Sequence, residues 1–317
     1  MRFIDREEVS RRLTYDKCIP IIREAMIAFS KGETKQLLRS IIPLSDGRFF
    51  GVMPGAMGSH AVFGAKLISV FQDNWSRGIQ SHQGLVILFD PESGAPVCVV
   101  HAGEITAIRT AAASAVATDA LARKDARRLA LLGYGEQAKT HARAISKVRS
   151  LESIHVWGRS LDRSLAFAQK MQAELGIPVA SAPTAAEAVA QADIICTLTA
   201  ASEPILQGAW VRPGTHVNVV GSSYAVPVEI DSDLVVRSRF IADSRDGALH
   251  QGAEFLRAKN AGLITDDHIV AEIGQVLAGE IEGRRSPEEI TLYKSLGHIV
   301  QDLATAWDLY AHPDSSS

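Results

Sequence analysis

From Arg128 onward the chain alternates short apolar runs with helix-patterned stretches. That alternation restricts it to a parallel sheet covered by helices on both faces. RLALLG (128–133) is an apolar run of strand length, and Gln137 to Val148 continues as a helix. SIHVWG is a second strand, followed by the helix SLDRSLAFAQKMQAELG with Gly176 as its C-cap. PVASA is a third, short strand. TAAEAVAQA then reads as a helix, with Thr184 as N-cap and Glu187 three residues on. DIICTLT, HVNVVG and RFIADS complete a set of six expected strands. The fold class read from this pattern is α/β, a doubly wound parallel sheet.

The first part of the chain follows a different pattern. Residues 7–31 predict one amphipathic helix. RSIIPL, RFFGVMPGAM, AVFGAKLISVF, HQGLVILFD and APVCVVHAG are strand-like runs punctuated by turn residues, and DPESG predicts a hairpin turn. A mostly antiparallel sheet therefore precedes the parallel one. An Ala-rich helix from about Glu104 to Ala122 joins them. Within MPGAMG, Met53 to Gly58 reads as a Pro-Gly turn whose small residues could wall a pocket for a compact ring.

With 317 residues, 46% of them hydrophobic, the chain is long enough for two domains. A net charge of −3 gives no electrostatic reason to expect nucleic acid or an anionic membrane as partner. The three cysteines, Cys18, Cys98 and Cys196, show no paired spacing and sit among apolar neighbours. They read as buried free thiols in a reducing compartment rather than as a nucleophile. The N-terminus MRFIDREEVSRRL has no signal-peptide pattern and no apolar run is long enough to span a bilayer. The expectation is a soluble cytoplasmic protein with a disordered tail, HPDSSS. The ten histidines show no zinc-ligand spacing, so no metal is expected.

Gly133, Gly135 and Ala138 spell G-x-G-x-x-A after a strand and at the opening of a helix. The first glycine permits the tight turn and the second lets backbone approach a pyrophosphate. The alanine keeps helix and strand close, and the helix N-terminus favours phosphate. A dinucleotide is the expected cofactor. A nucleotide-free glycine turn is the plainer alternative. NAD-preferring sites place an acid at the end of the second strand. Here that place reads VWGRSLDRS, with Arg159, Ser160 and Arg163 suited to a 2′-phosphate. This predicts NADP(H) over NAD(H). Arg159 as a mere solvated charge is the other reading, and the nearby Asp162 leaves dual use open.

Arg39, Lys66 and Arg109 are basic residues set among apolar or small neighbours. Such charges need partners. A ligand carboxylate is one, and a structural salt bridge or a snorkelling stem is the alternative.

The segments SHQGLVILFDPESGAPVCVV, ITAIRTAAASAVAT, TLTAASEPILQGAWVRPGTHVNVVGS and YKSLGHIVQDLATA resemble the ornithine cyclodeaminase/mu-crystallin family, in order and over nearly the whole chain. The resemblance implies a homodimer. It also implies a Rossmann domain, residues 119–297, inserted in a second α+β domain for substrate and dimerisation, residues 1–118 with 298–317. Arg39, Lys66 and Arg109 would hold the substrate carboxylate. Ser81, Glu136, Gln137, Thr199, the turn Val220, Gly221, Ser222 and Ser223, and Ser295 would line the nicotinamide cofactor, with Thr110 a further cofactor candidate.

Family members that are cyclodeaminases or alanine dehydrogenases carry V-G-x-D after the fifth strand, whereas this chain has Ser223 there, as the ketimine-reducing mu-crystallin branch does. A neutral serine cannot act alone as a base near neutral pH. The expected activity is therefore NAD(P)H-dependent reduction of a small cyclic imino acid. Δ1-pyrroline-2-carboxylate would become L-proline, and Δ1-piperideine-2-carboxylate would become L-pipecolate. The proton would come from Lys66, His82 or a bound water, and His82 reads equally as structural. The alternatives are an amino-acid dehydrogenase, a cyclodeaminase, and an NADP(H)-binding protein without turnover.

Overall fold

The computed structural model describes residues 1–58 and 62–313. Ala61, at the start of one expected strand, and the tail beyond Pro313 lie outside them. The chain divides into two compact units, Met1–Arg109 together with the segment from His298, and Thr110–Gly297.

The first unit opens with β1 (Arg2–Ile4), α1 (Arg6–Arg12) and α2 (Tyr15–Ser30). The single helix expected over residues 7–31 is thus two. Leu13 turns its side chain into the core, 1% exposed. Thr14, extended at φ −72° and ψ 159°, is the N-cap from which α2 restarts. Strands β2 (Thr34–Gln36), β3 (Ser40–Ser45), β4 (Arg48–Met57), β5 (Val62–Phe71), β6 (His82–Phe89) and β7 (Pro96–His101) follow. They form a sheet in the order β1-β7-β6-β5-β4-β2, with β3 also on β4. It is antiparallel except where β1 joins β7. The expected hairpin is present. The Asp90 carboxylate accepts from the Glu92 and Ser93 amides and Gly94 adopts a positive φ.

Met53 to Met57 are not a turn but the second half of β4. On one side of β4, β3 pairs as far as Val52 and β2 pairs from Gly55. Pro54 falls in the gap between them, the kind of position that sheets leave to proline.

The Ala-rich helix α3 (Ala102–Leu121) contains the boundary between the units. The second unit then runs β8 (Arg128–Leu132), α4 (Glu136–Val148), β9 (Ser153–Trp157), α5 (Leu161–Leu175), β10 (Val179–Ser181), α6 (Ala185–Val189), β11 (Ile194–Thr197) and β12 (His216–Val219). Next come α7 (Ser232–Arg237), β13 (Arg239–Ala242), α8 (Arg245–Gln251), α9 (Ala253–Asn260), β14 (Ile269–Glu272), α10 (Ile273–Leu277) and β15 (Thr291–Lys294). The sheet order is β10-β9-β8-β11-β12-β15-β13-β14, and every pairing in it is parallel. This is a doubly wound α/β fold of Rossmann type. Gly176 ends α5 at φ 70°, and the Thr184 hydroxyl accepts from the Glu187 amide to cap α6. Two strands, β14 and β15, were not expected. Each has four residues and carries a charge, and β15 is buried only because it is inserted between β12 and β13.

The last helix, α11 (Ile299–Ala311), returns to the first unit and packs on α2, β4 and β5. Burial of every residue from Ile299 to Ala306 fits a helix covered by a sheet on one side and another helix beside it. No helix among the described residues is long and apolar enough to cross a membrane.

Candidate functional site

In the first unit, β5 turns alternate residues toward α11, and Lys66 is one of them. Its side chain is 2% exposed and donates to the Thr106 hydroxyl at 2.7 Å and to Asp302 Oδ1 at 2.9 Å. Arg109, on α3, donates through Nε to the same Oδ1 at 3.2 Å and through Nη1 to Gln301 Oε1 at 2.7 Å. One oxygen of Asp302 therefore serves two cations, while its buried Oδ2 has no hydrogen-bond partner. Charges this deep are tolerated because they are paired.

The electrostatics follow from that crowding. Burial drives the Lys66 pKa down to about 8, with Arg109 and Arg39 adding to the fall and Asp302 opposing it. Burial works against ionisation of Asp302, but Arg109 and Lys66 outweigh it and hold the carboxyl below its usual range. His82 keeps an exposed surface. Its Nδ1 meets the Ser81 hydroxyl at 2.9 Å. Desolvation around the ring, then Lys66, Arg109 and Arg39, nonetheless hold its pKa at about 4. His298, the N-cap of α11, is packed against Phe29 with ring centroids 4.2 Å apart. Burial, then Arg39 and Arg109, bring it to about 4 as well. Both histidines are neutral at neutral pH.

Of the residues read from sequence, Arg39, Lys66, His82 and Arg109 thus lie within one another's electrostatic reach. Sequence reasoning missed Asp302, Gln301, Thr106 and His298. The available signal was IVQDLATAW, an acid and an amide inside an otherwise apolar helix.

In the second unit, parallel strands put all their carboxyl ends at one edge of the sheet. The elbow follows β8, and Gly133 sits at φ 129°, where an added Cβ would lie 2.7 Å from the Leu198 carbonyl oxygen. Gly135 is the N-cap of α4, and a Cβ there would meet nothing within 4 Å. Open space at the N-terminus of a helix suits a pyrophosphate. Ala138 is fully buried under the elbow. Glu136 and Gln137 begin α4.

Arg159 and Ser160 follow β9, where the Ser160 hydroxyl accepts from the Arg163 amide and both arginines are exposed. Thr199 follows β11, Val220 to Ser223 follow β12, and Ser295 follows β15. The Ser295 hydroxyl is buried without a hydrogen-bond partner. The residues present fit a dinucleotide.

Three candidates stand apart. The Ser222 hydroxyl is buried and occupied by Glu254 and Lys294. Thr110 is buried on α3. Ser81 belongs to the first unit. Among the described residues no cluster of His, Cys, Asp or Glu is arranged to hold a metal.

The sequence profile of the ornithine cyclodeaminase/mu-crystallin family matches residues 2–317. Ketimine reductase mu-crystallin from Mus musculus is 34% identical over 313 residues, 97% of this chain and 96% of that protein. The structure of Thermococcus litoralis Δ1-pyrroline-2-carboxylate reductase in complex with NADH and L-proline superposes with a TM-score of 0.95. It is 33% identical and covers 98% of this chain and 97% of that one. An archaeal alanine dehydrogenase dimer with bound NAD gives a TM-score of 0.92 at 27% identity, covering 98% and 95%. The chain belongs to the ornithine cyclodeaminase/mu-crystallin family.

Proposed function

We propose that this protein is an NAD(P)H-dependent ketimine reductase, converting Δ1-pyrroline-2-carboxylate to L-proline and Δ1-piperideine-2-carboxylate to L-pipecolate. The observation that carries the reading is the buried Lys66 ammonium, poised near pH 8 between Asp302 and two arginines. The chain's similarity to a reductase whose structure is in complex with NADH and L-proline supports the same substrate class.

In this reading Arg39 and Arg109 hold the substrate carboxylate, Arg109 through the guanidinium that Asp302 and Gln301 orient. Lys66 gives a proton to the imine nitrogen. A donor with pKa about 8 is mostly charged at neutral pH yet parts with its proton readily. His82 and His298, neutral at that pH, act as pocket walls and not as acids. The bound nicotinamide, when reduced, supplies the hydride that C2 accepts. C=N thus takes up one proton and one hydride to become CH–NH. Gly133, Gly135 and Ala138 would hold the pyrophosphate, and Thr199, the Val220–Ser223 turn and Ser295 the nicotinamide half. Arg159, Ser160 and Arg163 favour NADP(H), while Asp162 leaves NAD(H) usable.

The same reading gives the first unit the substrate and the dimer contact, and the second the nucleotide. The sheet face turned away from α11 carries Phe3, Phe63, Leu67, Leu85, Ile87 and Phe89. Phe3 is 62% exposed and Phe63 and Leu85 are each 37% exposed. A contiguous apolar sheet face of this kind is stable when covered, here by a second copy. Three buried free thiols suit a reducing, cytoplasmic location.

The test mixes the protein with NADPH or NADH and either cyclic imine, and follows absorbance of the reduced nicotinamide. Oxidation that depends on the imine and is lost in Lys66→Ala supports the reading. Oxidation only with pyruvate and ammonia would move the protein to the dehydrogenases. Dinucleotide binding without turnover would leave a binding protein.

A further inference from the structure

Glu229 precedes α7 in the second unit and is completely buried. Its Oε1 accepts from the Thr199 amide at 2.6 Å and the Thr199 hydroxyl at 2.8 Å. Its Oε2 accepts from the Gly221 amide at 2.7 Å and the Thr197 hydroxyl at 2.7 Å. A single carboxylate therefore ties the segment after β11 to the turn after β12. The approach is close: a Cβ on Gly221 would lie 2.1 Å from the Thr199 carbonyl oxygen and 2.6 Å from Glu229 Oε1.

Burial pushes the Glu229 pKa up, as does neighbouring Glu254, while the Thr199 amide and the Thr197 and Thr199 hydroxyls pull it down. Glu254 is itself held. Its Oε1 accepts from the Glu229 amide at 3.1 Å and from the Ser222 hydroxyl, and its Oε2 lies 2.7 Å from Lys294 Nζ. Lys294 also donates to the Ser222 carbonyl and hydroxyl, each at 2.6 Å. A buried ionic assembly of this kind is costly unless each donor and acceptor is matched.

The topology says what the anchored segments do. The chain winds from β8 through β9 and β10 to one side, then from β11 to β12 on the other, so the switch point lies between β8 and β11. Ligands of doubly wound sheets bind outside the carboxyl ends at that point. The elbow after β8 takes the pyrophosphate, which leaves the ends of β11 and β12 for the half of the dinucleotide beyond it. We propose that Glu229 is a positioning residue for the nicotinamide half, acting through Thr199 and the Val220–Ser223 turn. This rests on the dinucleotide reading given above.

Glu229→Gln tests it because an amide NH2 cannot accept. The Thr197 and Thr199 hydroxyls can reverse and accept instead, but a backbone N–H cannot. With the NH2 toward Thr199 that amide loses its acceptor, and with the NH2 toward Gly221 that amide keeps only the Thr197 carbonyl at 3.1 Å, so either way one of the two segments loses its bond to residue 229. Thr197→Val, which removes a donor and leaves both amide bonds, is the matched control.

The experiment titrates wild type, Glu229→Gln and Thr197→Val, each as the full chain, with NADPH and NADH. Parallel titrations use the nicotinamide-free fragments 2′,5′-ADP and AMP. Steady-state rates with the cyclic imine complete the set. In Glu229→Gln the dinucleotide should bind about tenfold or more weakly and kcat should fall. Its fragment affinity should stay within about twofold, and Thr197→Val should resemble wild type in both. Unchanged dinucleotide binding and rate in Glu229→Gln would overturn the proposal. So would a loss of fragment affinity in equal proportion, which would mark general damage to the unit, or an equal loss in Thr197→Val. A wild type that binds no dinucleotide would overturn the nucleotide reading itself, a result distinct from these.

Discussion

In the proposed reaction the buried pair of Lys66 and Asp302 would set the pH range. Lys66 must be protonated to act as the acid, and its pKa is about 8, so the rate should fall as pH rises through that value. Lys66→Met should lower kcat/KM by about 10²–10⁴-fold and remove this alkaline limb from a pH–rate profile. Asp302→Asn removes a group that raises the Lys66 pKa, so the limb should move to lower pH. The same change keeps an acceptor oxygen but leaves two buried cations without the negative charge that offsets them. It should destabilise the protein by about 3–5 kcal/mol, measurable by denaturant unfolding. At this scale the sequence exposed the cations but not their partner. A lysine in an apolar run is conspicuous at any position. Asp302 is 236 residues away from Lys66 and only folding pairs them.

The elements that the proposed function assigns to the nucleotide are the strand-to-helix elbow and the start of α5. Gly133→Ala would place a methyl 2.7 Å from the Leu198 carbonyl oxygen in a left-handed conformation. Dinucleotide affinity should fall by about tenfold or more while the far strands of the sheet remain folded, which calorimetric titration and circular dichroism together would show. At α5, Arg159→Ala combined with Arg163→Ala should reduce the NADPH-to-NADH ratio of kcat/KM by about 10–100-fold, the effect of losing charge-assisted bonds to a phosphate. A ratio unchanged by the double substitution would remove these arginines from cofactor selection. The elbow and the caps at Thr184 and Gly176 were legible because they are local, each set by a few consecutive residues. The break between α1 and α2 was not. Apolar periodicity runs through Leu13 and Thr14, and the break comes from docking Leu13 into the core.

At the scale of the whole molecule the exposed apolar face of the antiparallel sheet dominates. Charge placed there should prevent its cover by a second copy. Leu85→Glu with Phe63→Glu should shift the protein to a monomer in light scattering and leave far-UV circular dichroism unchanged. A wild type that is monomeric at micromolar concentration would contradict the dimer outright. That the segments of β5 and β6 form strands was readable from sequence. That the outward set stays uncovered within one chain was not, because covering depends on which helices return to the sheet, and α11 comes from the far end of the chain.

The sequence by itself determined what local physics decides. The parallel strands follow from continuous apolar runs, the elbow from glycine spacing, and the hairpin from DPESG. The isolated basic residues follow from their contrast with apolar neighbours. Tertiary structure alone decided the rest. It inserted β15 between β12 and β13, it turned MPGAMG from an expected turn into strand, and it brought Asp302 to Lys66 and Arg109 and Glu229 to the ends of β11 and β12. Each of those features depends on contacts between segments distant in sequence. Their free energy comes from matching buried charges and donors across the fold, and no window of consecutive residues contains both partners.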